Sequence, residues 1–385
     1  MAALRREPYR DSFGGNRTVI RTGYGIFYTG SRLSAMRTDL TGGFPFAVSQ
    51  SFTGSTSNPN LVTLANPFPA SLAKVSGTTT ANGWELNPPS PYLESWNFTV
   101  ERDLGQGVAI EVGYNASKGT HLGRKYDVNQ EIRVPGSTTR PYGGYGDIEY
   151  YTFGGNSSYQ AGTVTLRKRF EHGLTFRANY TYAKSIDDNS GLNYAGNGGY
   201  QGAQDSQDLN LERGLSDFDM RHVFSMNFVW RVPFKHNILA RGGQVAGTGV
   251  AYSGQPFTPQ YSGPSIDLGQ ATRPDRLASG TLPNPSPNLW FNLAAFSSVP
   301  DTAYRWGTSG RNILDGPGTI AINLSVSREF PVHERSRFQL RWETFNVTNH
   351  SNLQLPNDTL DKANAGTITS AGSARVMQIG AKYQF

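Results

Sequence analysis

Apolar and polar residues alternate with a period of two in a series of segments along the chain. Side chains on a β-strand point to its two faces in turn, so this alternation predicts strands with one apolar and one polar face. In 17–29, Ile20, Tyr24, Ile26 and Tyr28 share one face, and Arg21, Gly23 and Gly25 share the other. In 95–104, Trp96, Phe98 and Val100 oppose Asn97, Thr99 and Glu101. Segments 108–118, 174–184, 222–232, 319–330, 336–347 and 375–385 repeat the pattern, and 160–170 and 244–253 show it more weakly. A strand that crosses a membrane needs ~9–11 residues. Each segment is long enough.

The links between segments separate a membrane barrel from a soluble sandwich. Short links fall at 105–107, 171–173, 233–241 and 331–335, and long ones at 30–93, 119–157, 185–218, 254–318 and 348–373. They alternate throughout, which is the layout of a transmembrane barrel with tight periplasmic turns and long extracellular loops. A Greek-key sandwich has no reason to sort its loops this way. The expected fold is therefore all-β: about ten meandering antiparallel strands forming part of a transmembrane β-barrel.

Direction follows if the last strand ends at the periplasm. Strands running inward then end in Leu104, Phe170, Trp230 and Phe330, and those running outward carry Tyr28, Tyr114, Tyr182 and Tyr252 late. These are the expected aromatic girdles. Arg102, Lys168 and Arg328 lie on the apolar parity, two residues before an inner terminus. A cation there costs ~0–1 kcal/mol, against ~2–4 at mid-membrane, because its stem can snorkel to the headgroups.

Composition supports the pattern. Gly (44), Tyr (19) and Phe (21) are abundant, which suits strands and turns. There is no cysteine, which excludes thiolate chemistry and disulfides. The net charge of +6 is spread singly, without a basic block, so no nucleic-acid partner is expected. No run of ~18 apolar residues provides a membrane helix. The mean hydropathy of -0.48 is compatible with a barrel, where only alternate residues face lipid. Residues 1–16 hold no signal-peptide core and are expected to be a remnant of a periplasmic turn. The whole of 1–385 is expected to be one carboxyl-terminal barrel portion without plug or signal peptide.

Candidate chemistry is sparse. The six histidines form no metal-ligand spacing, and no P-loop or nucleophile elbow occurs, so neither an enzyme nor a bound cofactor or metal is expected. Asp187 and Asp188 read as a turn opening a loop, against a calcium loop or a carboxylate pair, and the further acidic group of Asp205, Asp208, Glu212, Asp217 and Asp219 in the same loop reads as binding a cation or contacting a plug. Arg21, Glu111, Arg177, Arg231, Arg341, Glu343 and Lys382 lie on the polar parity and read as a lumen wall, with mutual pairing the simplest use of their charge. Long loops without regular structure are usually functional or disordered. In the loop at 254–318, Trp290, Phe291 and Phe296 stack on sugar rings or pack back on the barrel. The sequence does not choose.

Five stretches carry a family resemblance: TVIRTGYGIFY (18–28), SWNFTVERDL (95–104), YTYAKSIDD (180–188), DMRHVFSMNF (219–228) and RWETFNVTNH (341–350). Together with the closing AKYQF they resemble TonB-dependent receptors of the Oar-like type. The resemblance implies an outer-membrane location and a ~22-stranded barrel filled by an amino-terminal plug, with energy passed from TonB to the plug. It implies uptake of a large solute such as a siderophore or oligosaccharide. It further implies that Met377, Ile379, Tyr383 and Phe385 form the terminal signature read by the barrel-assembly machinery. Outer-membrane lipid, that machinery, TonB through a plug absent from this chain and an unspecified extracellular solute are the expected partners. The alternatives are a plug-less pore or adhesin, in which 17–29 pairs with 375–385, and a soluble carbohydrate-binding protein.

Overall fold

The computed structural model describes residues 17–29, 63–67, 79–135, 137–171, 173–190, 203–233, 242–262, 272–333 and 336–385. The expected remnant at 1–16 lies outside them, as do most of 30–78 and the turn at 234–241.

Ten long strands make the sheet: β1 (Thr18–Tyr28), β2 (Tyr92–Gly105), β3 (Val108–Asp127), β4 (Tyr145–Glu171), β5 (Leu174–Asp187), β6 (His222–Arg231), β7 (Gly243–Tyr252), β8 (Thr319–His333), β9 (Ser336–Phe345) and β10 (Val376–Gln384). Each pairs antiparallel with its neighbour in chain order, from β1 to β10. All ten expected strands are present. β1 and β10 stand at opposite edges and are not paired with each other, so the described strands form an open barrel wall rather than a small closed barrel.

The register puts the apolar set on one face. Val100 lies opposite Ile20 and Val112, Val112 opposite Val164, and Val164 opposite Tyr180. Phe224 follows opposite Tyr180, and Trp342 lies between Val326 and Ile379. Val112, Val164, Tyr180, Phe224, Val326, Trp342 and Ile379 remain exposed. A continuous exposed apolar surface of this extent marks contact with lipid, not water. At its inner end Arg102 donates to Thr18 Oγ1 at 2.7 Å, Lys168 to the Gln106 carbonyl at 2.9 Å, and the Arg328 guanidinium lies 4.3 Å from the Phe330 ring centre. All three cations keep polar or aromatic company at the rim.

The tight turns explain themselves locally. Gly105 pairs with Val108, so Gln106 and Gly107 form a two-residue loop, and both have positive φ (52° and 70°). That backbone matches the right-handed twist of the flanking strands. Gly107 accepts it without a Cβ clash.

Three expectations need correction. Tyr252 lies opposite Val223 and Thr319, on the polar face, and is not a girdle residue. The apolar face of β7 carries Gly247, Gly249 and Ala251 instead, so its alternation is too weak to fix parity from sequence. The link at 119–157 is mostly strand, with β3 and β4 paired out to Asp127 and Glu149. At ~3.3 Å per residue the 27 residues of β4 far exceed a membrane span, and the hairpin rises well above it. The described parts of the loop at 254–318 carry paired strands. Pro256–Phe257 pairs with Leu314–Asp315, Asp275–Arg276 with Phe296–Ser297, and Thr281–Ser286 with Leu289–Phe291.

Two apolar clusters hold the extracellular layer. Phe257, Phe291, Ala295, Phe296 and Leu314 form one, with Leu355 and Leu360 of the 348–373 loop packed on it. Trp84, Tyr151 and Phe153 form the other, in which Trp84 stacks on Tyr151 with centroids 4.5 Å apart. The short strand Thr79–Trp84 runs parallel to the upper part of β4, and Glu85 fixes its end by accepting from the Phe153 amide at 2.8 Å.

Candidate functional site: the extracellular loop cap

The polar face of the sheet is a paired wall. Arg21 donates to Glu101 at 2.8 Å and lies 4.0 Å from Glu111. Arg167 also contacts Glu101. Arg341 sits 3.5 Å from Glu343, which accepts from Gln378 at 2.7 Å. Arg177 lies opposite Arg167 in the register, so like charges also face each other along the wall.

Above it the loops converge on buried arginines. The Arg311 and Asp187 side chains are each 3% exposed. Arg311 Nη2 contacts the Asp187 carboxylate and donates to its carbonyl at 2.9 Å. Nη1 donates to Ser190 Oγ at 3.1 Å and reaches Asp217 at 3.4 Å, and Nε donates to the Glu212 carbonyl at 2.9 Å. Asn312 continues the contact, donating to Asp217 at 2.6 Å and to the Leu215 carbonyl at 2.7 Å. The loop at 254–318 is thus fixed both to the end of β5 and to the loop that follows it.

A second lock lies beside the first. Arg273 donates twice to the Glu212 carboxylate, at 2.6 and 2.9 Å. The fork geometry makes this a strong charge-assisted pair. Gln204 accepts from the Arg273 amide at 3.0 Å and donates to the Gly307 carbonyl at 3.0 Å. Gln130, on the β3–β4 hairpin, donates to the Gln204 carbonyl at 3.1 Å and accepts from the Ser206 amide at 2.6 Å. That hairpin's tip is organised by Asn129, fully buried, whose side-chain amide donates to the carbonyls of Tyr142, Tyr145 and Gly146.

Burial raises the pKa of Asp217, partly offset by hydrogen bonds from Asn312 and by the Arg311 charge. Burial likewise raises Asp127, against amide hydrogen bonds from Ile148 and Asn129. A cavity of about 10 Å³ lies among Arg124, Asp188, Ser190, Glu212, Asp217 and Arg311. It has room for about one water, not for a solute.

The acidic residues singled out in the sequence are therefore taken up by arginines or by backbone amides. Asp187 goes to Arg311, Glu212 to Arg273, and Asp188 to Arg124 at 3.4 Å. Asp219 accepts from the Ser185 amide at 2.6 Å, while Asp205 and Asp208 cap turns at Gln207 and Asn210. Among the described residues no three His, Asp or Glu side chains stand as a metal site. Phe291 and Phe296 are 2% and 5% exposed, so the loop's own core occupies their ring faces and they do not offer a sugar-stacking surface. Trp290 is half-buried and donates to the Asp315 carbonyl at 2.9 Å. Met377, Ile379 and Tyr383 lie exposed along the apolar side of β10, and Phe385 follows it, also exposed. The sequence reading missed Arg124, Arg273 and Arg311, because each meets its partner across 61 or more positions and no spacing signals it.

An open antiparallel wall with a lipid face, a polar face, tight turns at one end and folded loops at the other is a transmembrane β-barrel. The chain belongs to the outer membrane beta barrel domain family, whose model matches residues 9–378, and it resides in the outer membrane. No curated protein matches it. Among solved structures it is similar to the outer membrane transporter YddB from Escherichia coli, at 12% identity and a TM-score of 0.53, over 97% of this chain and 39% of that one. It is also similar to the ferric-catecholate import receptor Fiu from E. coli (11%, TM-score 0.41, 96% and 33%). A third is the ferripyoverdine receptor of Pseudomonas aeruginosa (9%, TM-score 0.43, 96% and 31%). The chain spans between about a third and two fifths of these proteins.

Proposed function

We propose that this chain is the carboxyl-terminal wall and extracellular cap of a TonB-dependent transporter of the Oar-like type, importing a large solute such as a siderophore or oligosaccharide. The observation that carries this reading is the cap itself. Three links, 119–157, 185–218 and 254–318, join at buried arginine–carboxylate contacts above a polar wall, an arrangement suited to capturing a solute and to closing over it. On this reading the wall's unpaired edges meet further strands of a longer barrel, TonB acts through a plug, and β10 carries the signature for barrel assembly. The protein performs no covalent chemistry on its solute. The plug-less pore gains little support, because β1 and β10 do not close on each other.

The test is comparative depletion of the medium. Wild-type cells, cells lacking this gene and cells lacking TonB are grown on the same complex medium, and the spent medium is profiled by mass spectrometry. The reading expects a large solute that remains in both mutants and disappears in wild type. Depletion that needs the gene but not TonB would replace it with a passive pore.

A further inference from the structure

On the polar face of the wall, an open groove of about 310 Å³ crosses β5 to β9. Ala246 and Thr248 of β7 form its floor, between Val229 and Asn227 on one side and Ser325 and Asn323 on the other. Glu343, opposite Ser325, and Phe345 close the far side. The groove exists because β7 is short of bulk between its neighbours. The lipid side of the same strands is filled instead: a Cβ added at Gly247 would meet Leu324 Cδ2 at 2.9 Å.

The lining says what fits. Asn323 is committed, accepting from the Asn346 amide at 3.0 Å and donating to Thr248 Oγ1 at 3.3 Å. Asn227 and Ser325 have no side-chain hydrogen bond among the described residues. Glu343 has one oxygen 2.7 Å from Gln378 and the other 3.5 Å from Arg341, and a carboxylate with about four lone-pair sites keeps acceptor capacity beyond these. Phe345 is 45% exposed, so its ring is open to a guest. A sugar ring carries hydroxyl groups at its edge, which donate and accept. Its faces carry C–H groups, which suit the negative face of an aromatic ring. The volume equals that of roughly ten waters at ~30 Å³ each, room for a sugar ring. An anionic solute finds no support, because Glu343 is the one charged side chain among the described residues that line the groove.

We propose that this groove binds a neutral saccharide unit, with Phe345 stacked on the ring and Asn227, Ser325 and Glu343 holding its hydroxyl groups. The inference rests on the import reading and names its solute as a neutral oligosaccharide, which the wall receives below the cap.

The experiment is isothermal titration calorimetry on the full chain folded in dodecylphosphocholine, a detergent without a sugar head. The probes are maltohexaose, cellohexaose and xylohexaose, with hexagalacturonate as the anionic counterpart. At least one neutral probe is expected to bind at one site, and hexagalacturonate roughly tenfold more weakly or not at all. Phe345→Leu should weaken the neutral probe roughly fivefold, by loss of the ring contact, and Asn227→Ala severalfold. Glu343→Gln should weaken the neutral probe and strengthen hexagalacturonate, opposite shifts that a merely structural role would not give. Phe27→Leu, on the same face of β1, should leave binding unchanged. The proposal is overturned if none of the three neutral probes binds, which would leave the groove to a segment of protein. It is also overturned if hexagalacturonate binds as tightly as they do, or if Phe345→Leu or Asn227→Ala keeps its β-sheet circular dichroism and binds as wild type. Binding at equilibrium needs neither cells nor TonB, so this result and the TonB dependence of depletion fail separately.

Discussion

Replacing Arg311 by methionine tests the cap most directly. The substitution keeps most of the side-chain volume and removes the charge. It strands Asp187 and Asp217, each with a side chain 3% exposed, and it leaves the Asp187 and Glu212 carbonyls without the guanidinium that donates to them. Removing one partner of a buried pair costs about 3–5 kcal/mol. Asp217, already raised by burial, can relieve part of this by taking a proton, so the lower end applies in acid. At tenfold per ~1.4 kcal/mol, the opening equilibrium of the cap rises by roughly a hundred- to several-thousand-fold. Amide hydrogen exchange reads this directly, because local opening controls exchange. Amides of 209–217 and 311–315 should lose protection by that factor, while those of β5 to β9 at mid-sheet keep theirs. A combined Arg311→Met, Asp187→Asn, Asp217→Asn protein removes the stranded charges and should recover much of the protection. Unchanged exchange in Arg311→Met would refute the assignment of Arg311 as the lock. Loss spread evenly over the sheet would refute the separation of cap from wall.

Three further outcomes follow from the loops. Asp358 is 8% exposed and burial pushes its pKa up to about 6, against ~3.9 in an unfolded chain. The folded loop holds the extra proton between about pH 4 and pH 6, so stability is full below that window and falls as pH rises through it, by about 3 kcal/mol in all. Asp358→Asn should flatten this slope in loop-specific thermal unfolding at pH 4 against pH 7, and an unaltered slope would reassign it. Phe291→Ala should cost about 3–5 kcal/mol, seen as rapid proteolysis within 272–315 with the β-sheet circular dichroism intact; a variant as resistant as wild type would put Phe291 outside the loop core. Gly254→Ala would drive a Cβ into the Gly316 carbonyl oxygen, so the neck of the same loop should open by about 1–3 kcal/mol, measured by exchange at the Gly316 amide, which now donates to the Gln255 carbonyl.

The wall was legible in the sequence because its physics is local. That Trp342 faces lipid is read from Phe338 and Leu340 on its own parity against Gln339, Arg341 and Glu343 on the other, so period-two patterning finds the strand without knowing its neighbours. β7 shows the limit. With Gly247 and Gly249 on its lipid face the pattern lost contrast, and Tyr252 went to the wrong side. The cap was legible only in half. Acidic residues at 187–219 stood out, but their use depended on Arg273 and Arg311, brought in by a loop whose fold rests on Phe257 meeting Phe291. The ring contact, at 5.4 Å between centroids, is set by tertiary packing and leaves no periodic trace.

The cap separates two kinds of cohesion, and the separation has a mechanical consequence. Within the 254–318 body the core is apolar, made by Phe257, Phe291, Phe296 and Leu314 with Leu355 and Leu360 added from the neighbouring loop, beside polar contacts such as Arg305 to Asp275. Between that body and the rest the described contacts at the locks are ionic and polar: Arg311 to Asp187 and Asp217, Arg273 to Glu212, and Gln204 to Gly307. Exposing the first set to water meets the full hydrophobic penalty of about 25 cal/mol per Å². Exposing the second returns each charge to a solvent that hydrates it, which is why a buried ion pair adds little net stability over its separated, solvated partners. The cheaper motion is therefore parting at the arginines with the loop body intact. A cap that moves this way opens as a unit at a defined seam, and the seam lies above the polar wall that a passing solute would next meet.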